Sequence, residues 1–152
     1  MGATSSINIS DNFEIYISYP EKNNYIDSFQ NILKKNNYTV IDSSIILNLK
    51  DIPLENISKY IETILQKPKY IFVCISPYTI KTISQIIEMN EIIEQYPLIK
   101  HKIIYFMIDP KYTPITNKEI NTIIKDNKWF NLYDTDTLFY TSNKVLEILM
   151  TN

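Results

Sequence analysis

The stretch YIFVCISPYTIKTISQIIEMNEI, Tyr70–Ile92, decides the fold. Its opening run, YIFVCIS, is apolar without a break up to the serine, which is the pattern of a strand buried on both faces. Strands of that kind belong to parallel sheets covered by helices. After Ser76-Pro77 the chain takes on helical spacing and carries a carboxylate, Glu88. A strand that ends in Ser-Pro and hands over to a helix is one repeat of an alternating layout.

Working outward, the same repeat recurs. FEIYISY (Phe13–Tyr19) predicts a first strand, and Tyr25, Phe29, Ile32 and Leu33 predict the helix after it. YTVID (Tyr38–Asp42) is a second strand, SSIILNLKDIP an irregular loop, and LENISKYIETILQ a helix with Ile57, Ile61, Ile64 and Leu65 on one side. KIIYFMID (Lys102–Asp109) is another strand of the fully buried type. Thr116 and Glu119 are spaced as a capping box before the next helix. WFNLYD and SNKVLEILM supply a last strand and a closing helix. Strand-then-helix in regular succession predicts a flavodoxin-like, doubly wound five-stranded parallel sheet with helices on both faces. Residues 13–152 form that one domain, and residues 1–12 precede it as a short N-terminal segment.

Composition removes several function classes. The chain has 152 residues, 21% charged, with a net charge of −2 and therefore no basic footprint for nucleic acid. A single glycine excludes both the GxGxxG and the GxxxxGK[ST] phosphate loops. One histidine, His101, and one cysteine, Cys74, leave no common zinc constellation, so no metal is expected. Cys74 lies inside an apolar run and reads as a buried thiol, consistent with a reducing, cytoplasmic setting.

The lone glycine, Gly2, sits in MGATSS, which fits the N-myristoylation pattern with Ser6 at its fixed place. One acyl chain gives marginal, reversible binding, so the expectation is a peripheral membrane contact rather than stable anchorage.

Three separated stretches together resemble the Toll/interleukin-receptor (TIR) domain. FEIYISYP is similar to the family's first box, and YTVIDSS…KDIPLENISKYIETIL to its second, with Leu54 where a glycine is usual after Pro53. IFVCISPYTIKTISQIIEM resembles the family's strand that ends in Ser-Pro and leads to a glutamate on the following helix. Counted without a gap, Ser84 takes the place of the family's tryptophan and Glu88 that of its glutamate. The third box is matched only by Trp129-Phe130, in reversed order.

Many TIR domains cleave NAD+ between nicotinamide and ribose, and the resemblance makes Glu88 the catalytic residue, with NAD+ as substrate and no cofactor. Ser18, Tyr19, Asp42, Ser76 and Ser84 are then the candidates to line the nucleotide site, at or near the carboxyl ends of strands. The resemblance equally implies a non-catalytic module in immune or cell-death signalling, acting through contacts with other TIR domains or with itself. Its interaction loop holds Ile45, Ile46, Leu47, Leu49 and Pro53, and those aliphatics either fold into the core or form an exposed patch. Helical spacing alone puts Glu88 on one face with Ser84, Glu91 and Gln95, away from Ile86, Met89 and Ile93. That spacing predicts a solvated polar face.

Overall fold

A computed structural model describes residues 12–20, 23–47, 52–76 and 83–151. Its strands are β1 (Ile15–Ser18), β2 (Val40–Asp42), β3 (Tyr70–Ile75), β4 (Ile103–Met107) and β5 (Lys128–Asn131). They form one five-stranded sheet in the order β2-β1-β3-β4-β5, and every pairing is parallel. The helices are α1 (Asn24–Lys35), the single turn α2 (Ser44–Leu47), α3 (Leu54–Gln66), α4 (Ile83–Ile99), α5 (Lys118–Ile124) and α6 (Thr135–Thr151). This is the flavodoxin-like α/β fold, whose strand order reverses between β1 and β3. In folds of this kind ligands bind at such a reversal, beyond the carboxyl ends of the strands.

Side chains alternate between the faces of the sheet, and each face builds its own core. On one face Tyr16, Ile71, Val73, Ile103, Tyr105 and Met107 meet α3, α4 and α5 through Ile57, Ile61, Ile64, Ile92, Ile120 and Ile124. On the other, Ile15, Ile17, Phe72, Cys74, Ile104 and Phe106 meet α1 and α6 through Ile26, Phe29, Leu33, Leu138, Val145 and Leu149. Phe29, Phe72 and Phe106 pack ring to ring there, with centroids 5.0 to 5.9 Å apart. Such pairs add about 0.5–1.5 kcal/mol each beyond their buried area. Both faces of β3 and β4 are therefore dry, as an unbroken apolar run requires.

The helix ends show where local chemistry overrides simple spacing. Asn23 caps α1, its Oδ1 accepting the Ile26 N–H at 2.7 Å. The chain leaves that helix through Asn37 at φ 69°, a left-handed position that Asn tolerates. The cap of α5 is Asn117, whose Oδ1 accepts from Ile120 N at 3.1 Å. Thr116, the expected cap, instead accepts from Thr113 N at 3.0 Å in the preceding turn. The last helix begins at Thr135 rather than near Ser142. Asp134 and Thr137 cap it reciprocally: Thr137 N donates to Asp134 Oδ1 at 2.7 Å, and Asp134 N to Thr137 Oγ1 at 3.0 Å. Asp and Thr are poor helix formers, so their capping value is invisible to a propensity argument.

The loop after β2 also differs from expectation, because its first residues make the turn α2. Asp42 Oδ1 accepts from Ser44 N at 2.9 Å and from the Ser44 hydroxyl, which starts that turn. Ile46 is 1% exposed and joins the core under α3 and α4, with Ile45 half-buried against the same cluster. For these two aliphatics the core alternative holds, not the exposed patch. Pro53 is exposed and stands at the N-cap of α3. Gly2 and Leu49 lie outside the described residues, as do the side chains of Leu47 and Ser84.

Candidate functional site

Period-two alternation on β1 places Tyr16 and Ser18 on the face that α4 covers. The α4 helix arrives with Glu88 pointing at them. Glu88 is 4% exposed and Glu91 8%, while Ile86 is 45% and Ile93 64% exposed. The face expected to be solvated is the buried one. The cause is the partner surface: β1, the β2 end and α3 offer hydroxyls, and carboxylates answer hydroxyls better than isoleucines do.

Three hydroxyls converge on Glu88. Tyr16 Oη donates to Oε2 at 3.1 Å, Ser43 Oγ donates to Oε1 at 2.8 Å, and Ser18 Oγ donates to Oε1 as well. Ser43 also accepts the Tyr19 N–H at 3.0 Å. The ends of β1 and β2 are thus tied to the carboxylate on α4. Burial lifts the Glu88 carboxyl from its ordinary value to about 7, against the lowering effect of the Ser18, Ser43 and Tyr16 hydrogen bonds. The carboxyl therefore changes its charge near neutral pH. Burial together with the Glu88 charge also pushes the Tyr16 phenol up, so that it stays a donor.

A second carboxylate adjoins the first. Asp42 Oδ2 accepts from Gln30 Nε2 at 2.7 Å. Tyr19 is pushed up by burial and by the nearby Asp42 charge. Asp42 in turn raises Glu88 slightly, the smallest of the effects upon it. The sequence candidates Ser18, Tyr19, Asp42 and Glu88 are therefore brought together. Ser76 follows β3 and lines a different space, on the opposite flank of α4. That space is a mainly apolar groove of about 790 Å³, bordered by Ile75, Met89, Ile93, Tyr96, Tyr105 and Tyr112. Cys74 is 2% exposed, as expected, and burial raises its thiol well above the reactive range. His101 is exposed.

Sequence reasoning named none of Tyr16, Gln30 and Ser43 as a site residue, although Ser43 falls with Asp42 at the ligand edge of the sheet. A signal existed for two of them: Tyr16 lies two residues before Ser18 on the same strand face, and Ser43 follows Asp42 directly at a strand end. Gln30, 6% exposed in the middle of an apolar helix face, carried only the weaker hint of a polar residue at a core position.

Chemically, the arrangement offers a desolvated carboxylate in a donor cage. Such a group can stabilise a positive charge that develops beside it, or take up a proton near neutral pH. Among the described residues, no three or more His, Cys, Asp or Glu side chains are grouped to hold a metal ion. No family model matches the chain, and no curated protein matches it.

Glu91, at 8% exposure, accepts a hydrogen bond from Ser58 Oγ and so joins α4 to α3. It is a packing residue rather than a bystander charge. Glu91→Ala is expected to lower stability by about 1–2 kcal/mol in urea unfolding, through the lost hydrogen bond and the orphaned Ser58 hydroxyl. Its loss touches none of the Glu88 partners. A variant as stable as the parent would show that this bond adds nothing.

Proposed function

We propose that this chain is a TIR-type NAD+ glycohydrolase in which Glu88 stabilises the oxocarbenium-like ribose formed as nicotinamide leaves. The observation that carries the reading is the burial of Glu88 at 4% exposure in a cage of hydroxyls beside the switch point of the sheet. A carboxyl raised to about 7 by burial reduces the stability of the fold, and groups of that kind concentrate at working sites. The glutamate predicted from the strand–Ser-Pro–helix resemblance is the residue with this environment.

The reaction needs little more than an anion. The bond between ribose C1′ and the nicotinamide nitrogen breaks, and its electron pair neutralises the positively charged ring, so no acid is required. Positive charge appears on the ribose, where a carboxylate in a dry pocket lowers the barrier. Water then adds to C1′ and releases a proton. The donors around Glu88 are hydroxyls, and the ribose diol is chemically suited to exchange with the serine hydroxyls as they yield. Purified protein is expected to release nicotinamide from NAD+, most clearly at high protein concentration. No release from concentrated or templated protein would overturn the reading.

The second reading is an interaction module, working through other TIR domains or a second copy of itself. One observation favours it: α4 turns Ile86 and Ile93 outward, at 45% and 64% exposure. Myristoylation at Gly2 would bring either activity to a membrane surface reversibly. Among the described residues no helix is long and apolar enough to cross a membrane.

A further inference from the structure

The hydroxyl of Ser43 is held on several sides, the Tyr16 phenol among them. Ser43 N donates to Ile17 O at 3.0 Å, which pins the residue to the end of β1. Its oxygen accepts the Tyr19 N–H at 3.0 Å, so the hydroxyl proton is left to find an acceptor. Glu88 Oε1 stands at 2.8 Å and the Ile17 carbonyl at 3.5 Å, and the carboxylate wins on distance and on charge. Tyr16 and Ser18, the other two donors, both come from β1. Ser43 alone of the three connects Glu88 to the segment that follows β2.

We infer that Ser43 is the positioning residue of Glu88: its hydroxyl, oriented by the backbone of Ile17 and Tyr19, aims the carboxylate and favours its anionic form. The inference rests on the reading in which Glu88 carries the chemistry. The surroundings explain why a hydroxyl is needed. Among the described residues, the titratable groups whose charge acts on Glu88 or feels it are Tyr16, Tyr19 and Asp42, with Cys74 on the other face of the sheet, and none of them is a cation. On α4 itself Glu91 turns to Ser58, and the α3 charges Glu55 and Lys59 are exposed. Hydrogen-bond donors are therefore what favour the anion, and Ser43 is the donor with the most constrained direction.

The test measures the titration of the Glu88 carboxyl by carbon NMR in purified protein, beside the pH profile of nicotinamide release. Ser43→Ala is expected to move the Glu88 titration up by about one pH unit, because a bond to the charged form has been lost. The acidic limb of the rate profile should move with it, giving roughly a fivefold fall at pH 7. Ser43→Thr, which keeps the hydroxyl, should restore both. Ser43→Cys keeps the volume, is a weak donor, and should shift the titration the same way even if the alanine variant folds poorly. Ser58→Ala, whose partner is Glu91, should leave the Glu88 titration in place. An unmoved titration in a folded alanine or cysteine variant overturns the inference, whether or not NAD+ is cleaved. If the parent cleaves no NAD+, the carboxyl titration still decides the role of Ser43.

Discussion

Glu88→Gln is expected to cut NAD+ cleavage by roughly two orders of magnitude or more and, above pH 7, to make the protein more stable. The two effects have one cause. The folded carboxyl titrates at about 7 and the ordinary value is 4.5. Between those pH values the folded chain holds a proton that the unfolded chain has released. The stability this contributes is fully present below about 4.5 and is lost as pH rises through about 7. The difference amounts to about 3 kcal/mol between the two limits. A glutamine carries no charge, so the loss disappears. Its Oε1 can accept from Ser18 and Ser43, the two hydroxyls that share Glu88 Oε1, and its Nε2 can donate to the Tyr16 oxygen. At pH 8 the variant should melt several degrees higher than the parent, and at pH 4.5 the two should converge. Melting curves across that range, beside nicotinamide release, read both effects. A pH dependence of stability identical in parent and variant would falsify the raised carboxyl. A full rate in the variant would move the chemistry away from Glu88.

A gain in stability coupled to a loss of activity separates this role from a structural one. Glu91 is nearly as buried as Glu88, but it answers a hydroxyl from the neighbouring helix, and its removal weakens the fold. Glu88 accepts three hydroxyls where Glu91 accepts one, and is still expected to be less favourable than a neutral isostere above pH 7. The charge itself is what the fold carries at a cost, and that is the property a site needs from a carboxylate.

The fold was legible because its strongest signals are long and local. The runs YIFVCIS and KIIYFMID demand burial on both faces, and four aliphatics on one side of LENISKYIETILQ demand a covering helix. Once those are placed, sheet and layers follow. The α4 helix was legible as a helix, but the side it buries was not, for a reason visible in its isoleucines. Adjacent pairs at Ile86-Ile87 and Ile92-Ile93 set apolar side chains about 100° apart and so spread them over more than one face. Spacing favoured solvating the Glu88 side, and the hydroxyls of β1, the β2 end and α3 reverse that choice. Those hydroxyls belong to residues distant in sequence, 70 positions away for Ser18 and 45 for Ser43. Ser18, Tyr19 and Asp42 could be named in advance because strand ends are where ligands bind. Tyr16 was passed over although it shares a strand face with Ser18, since a tyrosine in an apolar strand reads as core and is indeed fully buried.

The stretch after β2 yields the other large expected effect. Ile46 lies in the single turn α2, 1% exposed, among the apolar side chains that α3 and α4 bury. Ile46→Asp puts a carboxylate there with no cation among the described buried residues. A charge taken from water without a partner costs several kcal/mol, or forces the group to bind a proton and still leaves an unpaired polar side chain. Domains of this size are stable by only about 5–15 kcal/mol, so the variant should lose ten degrees or more in melting temperature or fail to fold. Ile93→Asp is the matched change at a site 64% exposed. Its effect on stability should stay within about 0.5 kcal/mol, because the new charge remains in water. Light scattering of that variant then tests the outward face of α4 without disturbing the core. A well-folded Ile46→Asp protein with the parent's melting temperature would return the stretch after β2 to the surface, and with it the case for partner contacts through this loop.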